Sequence, residues 1–162
     1  MSMNSMLIPR IRLILVDDHP LVRDGLRARL EVVPRIEVVG EAENGATALA
    51  LAEQIRPDLM LVDIGMKDMN GIQLTHALSQ RHPTIRVLIL SMHDSTACIA
   101  SAVRAGARGY VLKDADSREI IAAIDAVAAG GNYYSQHVTH ALIIPPSIDN
   151  LTDREREVLI LI

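Results

Sequence analysis

Five short runs of Ile, Leu and Val, at residues 11–16, 36–39, 59–62, 87–90 and 110–112, do most to limit what this chain can fold into. They are nearly continuous rather than alternating, and a strand that is apolar on both sides must be covered on both faces. The stretches between them carry helical spacing instead, as in Val22, Leu26 and Leu30, or Ile120, Ile121, Ile124 and Val127. Gly106 and the pair Gly130, Gly131 fall where helix C-termini are expected. Strand and helix alternating five times between residues 11 and 129 require right-handed crossovers. The predicted fold is an open, doubly wound α/β sheet of five parallel strands with helices on both faces.

Composition removes several function classes. Sixteen basic against twenty acidic residues give a net charge of −4, so no overall positive field holds a polyanion. Three tyrosines are the whole aromatic content, which leaves no stacking platform for single-stranded nucleic acid. Cys98 is the one cysteine, excluding an intramolecular disulfide and a zinc site built on several thiolates, and a reducing compartment fits it. No basic start followed by a long apolar segment marks residues 1–10, and no apolar run is long enough to span a membrane. The expectation is a cytoplasmic protein without a membrane partner.

Residues 1–9 read as an N-terminal extension and 10–130 as the α/β domain. Residues 131–150, with Pro145 and Pro146 and no sustained period, read as a linker. His137 and His140 are spaced like neighbours on a helix, but they lack a carboxylate or cysteine partner and read as solvated. Residues 151–162 open a new helix through a Thr152 and Glu155 capping box, with Val158, Leu159 and Ile162 on one face.

In open α/β sheets ligands sit beyond the carboxyl ends of the strands, so the residues there carry the chemistry. The first run leads into Asp17 and Asp18, the third into Asp63, the fourth into Ser91 and the fifth into Lys113. Asp at a strand end often caps the next helix, and Asp94 reads simply as such a cap. Five polar residues at successive strand ends are better explained as one site. Two unit charges 4 Å apart interact by roughly 4 kcal/mol at an effective dielectric of 20, so three carboxylates need compensation. Lys113 and a divalent cation would supply it, and oxygen ligands open to water favour Mg²⁺. A carboxylate beside both cations is suited to attack phosphorus.

On these residues the sequence resembles the response regulators of two-component signalling. LILVDDHPLVRDGL is similar to the family's acidic opening, LMLVDIGMKDMNG to its phosphoacceptor segment, VLILSMHD to its switch-hydroxyl strand and AGARGYVLKD to its lysine strand. LTDREREVL resembles the start of a LuxR-type helix-turn-helix, as in the NarL/FixJ subfamily. The resemblance implies a flavodoxin-like strand order, 2-1-3-4-5, and makes Asp63 the phosphoacceptor. It makes Asp17, Asp18, Asp63 and the Gly65 backbone carbonyl the Mg²⁺ ligands. Ser91 and Lys113 become the phosphoryl-binding pair, and Tyr110 the aromatic that moves with the hydroxyl. It further implies a sensor histidine kinase as phosphodonor, homodimerisation on phosphorylation, and transcriptional control. DNA would be contacted only through a C-terminal domain mostly absent from these 162 residues, so no DNA-binding residue is expected here. One departure is Lys67, where the family commonly has proline. With Gly65 in the same loop, ordering that loop is expected to cost more entropy.

Two rivals share the architecture. A haloacid-dehalogenase-like phosphatase would use Asp63 as nucleophile but needs a second Asp two residues on, where Gly65 stands. A flavodoxin-like nucleotide binder needs a phosphate-cradling loop after the first strand, where VDDHP offers acids. A self-modified switch, not a turnover enzyme, is the expectation.

Overall fold

The computed structural model describes residues 9–134. In chain order they form β1 (Ile11–Val16), α1 (Pro20–Glu31), β2 (Ile36–Ala42), α2 (Gly45–Ile55), β3 (Leu59–Asp63), α3 (Gly71–Arg81), β4 (Arg86–Ser91), α4 (Thr96–Ala105), β5 (Gly109–Leu112), α5 (Ser117–Ala128) and β6 (Tyr133–Tyr134). All strand pairings are parallel and the order is β2-β1-β3-β4-β5-β6.

The unbroken apolar runs have a direct cause. Alternate residues of each strand serve separate cores. Ile14, Val16, Met60, Val62, Val87 and Ile89 pack with Ile72, Leu78, Ile99 and Ala102, beneath α2, α3 and α4. Leu13, Leu15, Leu59, Leu61, Leu88 and Leu90 pack with Leu26, Leu30, Ile120, Ile124 and Val127, beneath α1 and α5. β3 sits in the middle of the sheet and all five of its residues are buried, including the terminal Asp63.

Caps fix where four of the helices begin. Asn44 accepts from Thr47 N–H at 2.8 Å, and Asn70 and Gln73 close a reciprocal capping box at 2.8 and 3.0 Å. Asp116 accepts from Glu119 N–H at 2.9 Å. The cap of α4 is Ser95, which accepts from Cys98 N–H at 3.2 Å. Asp94, expected in that role, lies one residue too early. Either side chain is a good cap in the abstract, and only the position of the first helical turn separates them.

Two further differences from the sequence reading concern strands. β2 continues past Val39 to Ala42, pairing with β1 as far as Val16, and a register shift between Leu13 and Ile14 lets one extra residue into the ladder. Beyond Gly130, whose φ of 96° turns the chain after α5, the segment read as linker adds the two-residue β6 to the edge of β5. Its residues are Tyr133 and Tyr134, too short a run to carry a periodic signal. His137, His140 and the capping box at Thr152 lie outside the described residues.

Glycines at two helical positions differ sharply in what surrounds them. A Cβ on Gly71 would overlap the Asp63 carbonyl and lie 2.8 Å from Ile64 Cα, so α3 starts pressed on the backbone of β3. A Cβ on Gly25, inside α1, would meet nothing within 4 Å. Gly71→Ala is expected to lower stability by about 1–3 kcal/mol, and Gly25→Ala to raise it by about 0.5–1 kcal/mol. Urea denaturation of both variants checks the opposite signs.

Candidate functional site

The carboxyl ends of β1, β3, β4 and β5 bring the predicted polar residues to one rim. Asp17 follows β1 with only 3 % of its surface exposed. Its N–H donates to the Ala42 carbonyl at 3.0 Å, tying it to the end of β2. Arg23 of α1 reinforces this position, with Nη1 donating to the Asp17 carbonyl at 2.6 Å and Nε pairing with Glu41 at 3.3 Å. Arg27 pairs with the other oxygen of the same Glu41.

Lys113 joins the carboxylates of two strands. Its Nζ lies 3.1 Å from Asp17 Oδ2 and 3.1 Å from Asp63 Oδ1. Asp63 Oδ1 also accepts from Gly65 N–H at 3.2 Å. Asp63 Oδ2 is buried and has no hydrogen-bond partner, which for a carboxylate oxygen is costly unless another group meets it. Asp18 Oδ1 is also buried. It lies 2.9 Å from His19 Nδ1 but without the alignment of a hydrogen bond.

His19 is the member that the sequence reading left out. Its N–H donates to Asp17 Oδ1 at 2.8 Å, and its Nδ1 lies 3.1 Å from the same oxygen. One ligand atom from each of Asp17, Asp18, His19 and Asp63 falls within 4.8 Å of the others. The available signal was adjacency: in DDHP the histidine follows the acidic pair, and Pro20 starts α1 immediately after it.

The other predicted residues lie around this cluster rather than on it. Ser91, 1 % exposed, ends β4, and its Oγ accepts from His93 N–H at 3.0 Å. Tyr110 on β5 is fully buried, and its hydroxyl donates to the His93 carbonyl at 2.6 Å. A Cβ on Gly65 would sit 3.7 and 3.8 Å from the two Asp63 oxygens, so the backbone there passes over the carboxylate with room for a small group.

The electrostatics follow from crowding. Burial, and next the charge of Asp17, push the Asp63 carboxyl above its ordinary value, against the pull of Lys113 and the Gly65 N–H. Burial disfavours the Lys113 ammonium, but the charges of Asp63 and Asp17 outweigh it and hold the lysine above its ordinary value. Burial also pushes the Tyr110 phenol up, opposed by a hydrogen bond with Ser91, so the ring stays neutral. Three clustered carboxylates, two of them on the one ammonium, leave a formal excess of two negative charges. Oxygen donors, two buried oxygens without a hydrogen bond and that excess together fit a divalent cation.

A pH dependence follows from the raised Asp63 value. Between the unfolded and folded values the native state binds more protons, so stability falls as pH rises through that window. At neutral pH the ionised Asp63 is therefore a burden on the fold when no cation is bound. Asp63→Asn is expected to raise the melting temperature at pH 7 without Mg²⁺, with the gain shrinking as pH falls below the ordinary carboxylate range. Calorimetric scans across pH check both the sign and the trend.

Comparison with known proteins agrees with this fold. The family model for the response regulator receiver domain matches residues 13–125. The transcriptional regulatory protein MctR of Rhizobium johnstonii is 46% identical over 157 residues, covering 95% of this chain and 73% of MctR. The transcriptional regulatory protein DegU of Brevibacillus brevis is 41% identical over 134 residues, and there the match spans 83% of this chain but only 57% of the relative. The crystal structure of a LuxR-family two-component response regulator from Aurantimonas superposes with a TM-score of 0.79 at 36% identity, covering 83% of this chain and 96% of that one. The chain belongs to the response regulator receiver family.

Proposed function

We propose that this chain takes a phosphoryl group from a sensor histidine kinase onto Asp63 in a Mg²⁺-dependent reaction, and that the modified form controls transcription. The observation that carries this is Asp63 Oδ2, a buried oxygen without a hydrogen-bond partner on a carboxylate whose other oxygen is held by Lys113 and the Gly65 N–H. Asp17, Asp18, Asp63 and the Gly65 carbonyl would hold the cation. When bound it neutralises charge on the transferring phosphoryl oxygens and on the acidic cluster.

The chain's own residues do the rest. An Asp63 oxygen forms a bond to phosphorus as the nitrogen–phosphorus bond of the donor phosphohistidine breaks, and the imidazole keeps the electron pair and takes up a proton. Lys113, already between Asp17 and Asp63, balances negative charge at the acceptor. A buried Asp17 keeps Lys113 in place, and Arg23 keeps Asp17 in place.

The new phosphoryl oxygens would attract the Ser91 hydroxyl, and the hydrogen bonds around His93 supply a path outward. His93 N–H donates to Ser91 Oγ while its carbonyl accepts from Tyr110, so a shift of Ser91 moves one peptide segment tied to two strands. We read homodimerisation as the outcome, with DNA contacted by a LuxR-type domain following residues 10–130 and the linker at 131–150. Among the described residues no helix is long and apolar enough to cross a membrane, and we infer a cytoplasmic setting. The phosphatase reading is not favoured, because Gly65 occupies the place of its acid.

Acetyl phosphate with Mg²⁺ is expected to add one hydroxylamine-labile phosphoryl group, seen by intact mass. Asp63→Asn should abolish it, and undiminished labelling of that variant would remove Asp63 from its role. Asp18→Asn should lower the yield at limiting Mg²⁺. Ser91→Ala should still accept the group but lose most of its effect on association, measured by sedimentation with and without the phosphodonor.

A further inference from the structure

The loop between β3 and α3 has Lys67 in place of the family's proline, and its restraint comes from elsewhere. Ile64 and Met66 are buried, and the Gly71 N–H donates to the Ile64 carbonyl at 3.0 Å, which closes the base of the loop. Its tip is docked on α2. The Asp68 carboxylate accepts from Gly45 N–H at 3.3 Å and also faces the Ala46 N–H. Asn44 meets the next two amides, Thr47 through its side chain at 2.8 Å and Ala48 through its carbonyl at 3.0 Å. Of the four donors that the helix leaves open at its start, the N–H groups of residues 44–47, that of Gly45 is thus met by a residue from another loop and that of Thr47 by the helix's own cap.

Packing at the same place gives independent support. A Cβ on Gly45 would lie 2.7 Å from Met69 Cβ and 2.8 Å from its Sδ, so the loop approaches the helix as closely as a glycine allows. Charge agrees as well, since a carboxylate at a helix N-terminus faces the positive end of the dipole. Burial works against ionisation of Asp68, but the amides of Met69, Gly45 and Ala46 outweigh it and hold its carboxyl below the ordinary value.

We propose that Asp68 is a positioning residue for the metal site, fastening the loop to α2 so that the backbone at Gly65 is held over Asp63. The inference rests on the reading above, in which the Gly65 carbonyl is a cation ligand. Gly65 is only three residues before Asp68, and its N–H already contacts Asp63 Oδ1 at 3.2 Å. With the tip released, the loop must be ordered when the cation binds, and that cost appears as weaker binding.

The test is a calorimetric Mg²⁺ titration of the full chain and of Asp68→Ala, Asp68→Asn and Gly45→Ala, with hydrogen exchange on each. Asp68→Ala should weaken Mg²⁺ binding roughly three- to tenfold, the scale of a lost helix cap. Asp68→Asn keeps an acceptor oxygen and should recover part of the loss. Gly45→Ala should reproduce the loss by displacing Met69 without touching the carboxylate. Amides of residues 64–69 should exchange faster in Asp68→Ala while those of β3 keep their protection. Equal Mg²⁺ affinity in Asp68→Ala and the parent, or faster exchange spread over the whole sheet, overturns the inference and leaves the phosphoacceptor reading standing. A parent chain that binds no Mg²⁺ overturns both.

Discussion

The site depends on one ammonium placed between two carboxylates. Lys113 Nζ lies 3.1 Å from an oxygen of Asp17 and 3.1 Å from an oxygen of Asp63, and both acids are almost wholly buried. Neither could be held there alone: an unpaired charge in such surroundings changes its protonation instead of tolerating the loss of water. The arrangement compensates only in part, because Asp63 remains above its ordinary value even with Lys113 beside it. Residual instability at this place is useful chemically, since any ligand that brings positive charge to the cluster is favoured by the same imbalance.

A central strand buried on both faces is what allows such a cluster to exist at a strand end. β3 is paired to β1 and β4, and its five residues are all buried, so Asp63 is carried on a backbone with little freedom. Flanking strands deliver Asp17, Ser91 and Lys113 to the same rim because all run in one direction. Hydrogen bonds then refine the placement, from Asp17 to the Ala42 carbonyl, from Arg23 to the Asp17 carbonyl, and from Gly65 to Asp63.

Much of this was legible in the sequence, for physical reasons that also explain what was not. Continuous apolar runs gave the two-faced sheet because each strand feeds two cores, and polar residues at the ends of those runs stood out against them. Asp17, Asp18, Asp63, Ser91 and Lys113 all stand at the strand ends where they were expected. Features set by tertiary contact were hidden. β6 has two residues and no period, and Ser95 and Asp94 are equally good caps by type, whereas His19 offered only its adjacency to the acidic pair. Likewise nothing in LMLVDIGMKDMNG shows that Asp68 meets the Gly45 amide, 23 residues earlier in the chain. The expectation of a loop costly to order, drawn from Lys67 and Gly65, considered the backbone alone. Buried Ile64 and Met66 and the Asp68 contact supply restraint that backbone propensity does not measure.

The scarcity of aromatic residues has an optical meaning. With no Trp or Phe, the near-ultraviolet signal of the chain comes from Tyr110, Tyr133 and Tyr134 alone. These three stand on two neighbouring strands at one edge of the sheet, with Tyr110 paired directly opposite Tyr134 in the β5 and β6 register. Tyr110 is fully enclosed and hydrogen-bonded to the His93 carbonyl, whereas its two neighbours are partly exposed. Absorption and emission therefore report on that edge with no background from the rest of the fold. A change in the peptide that links Ser91 to Tyr110 is written into a spectrum that needs no attached dye.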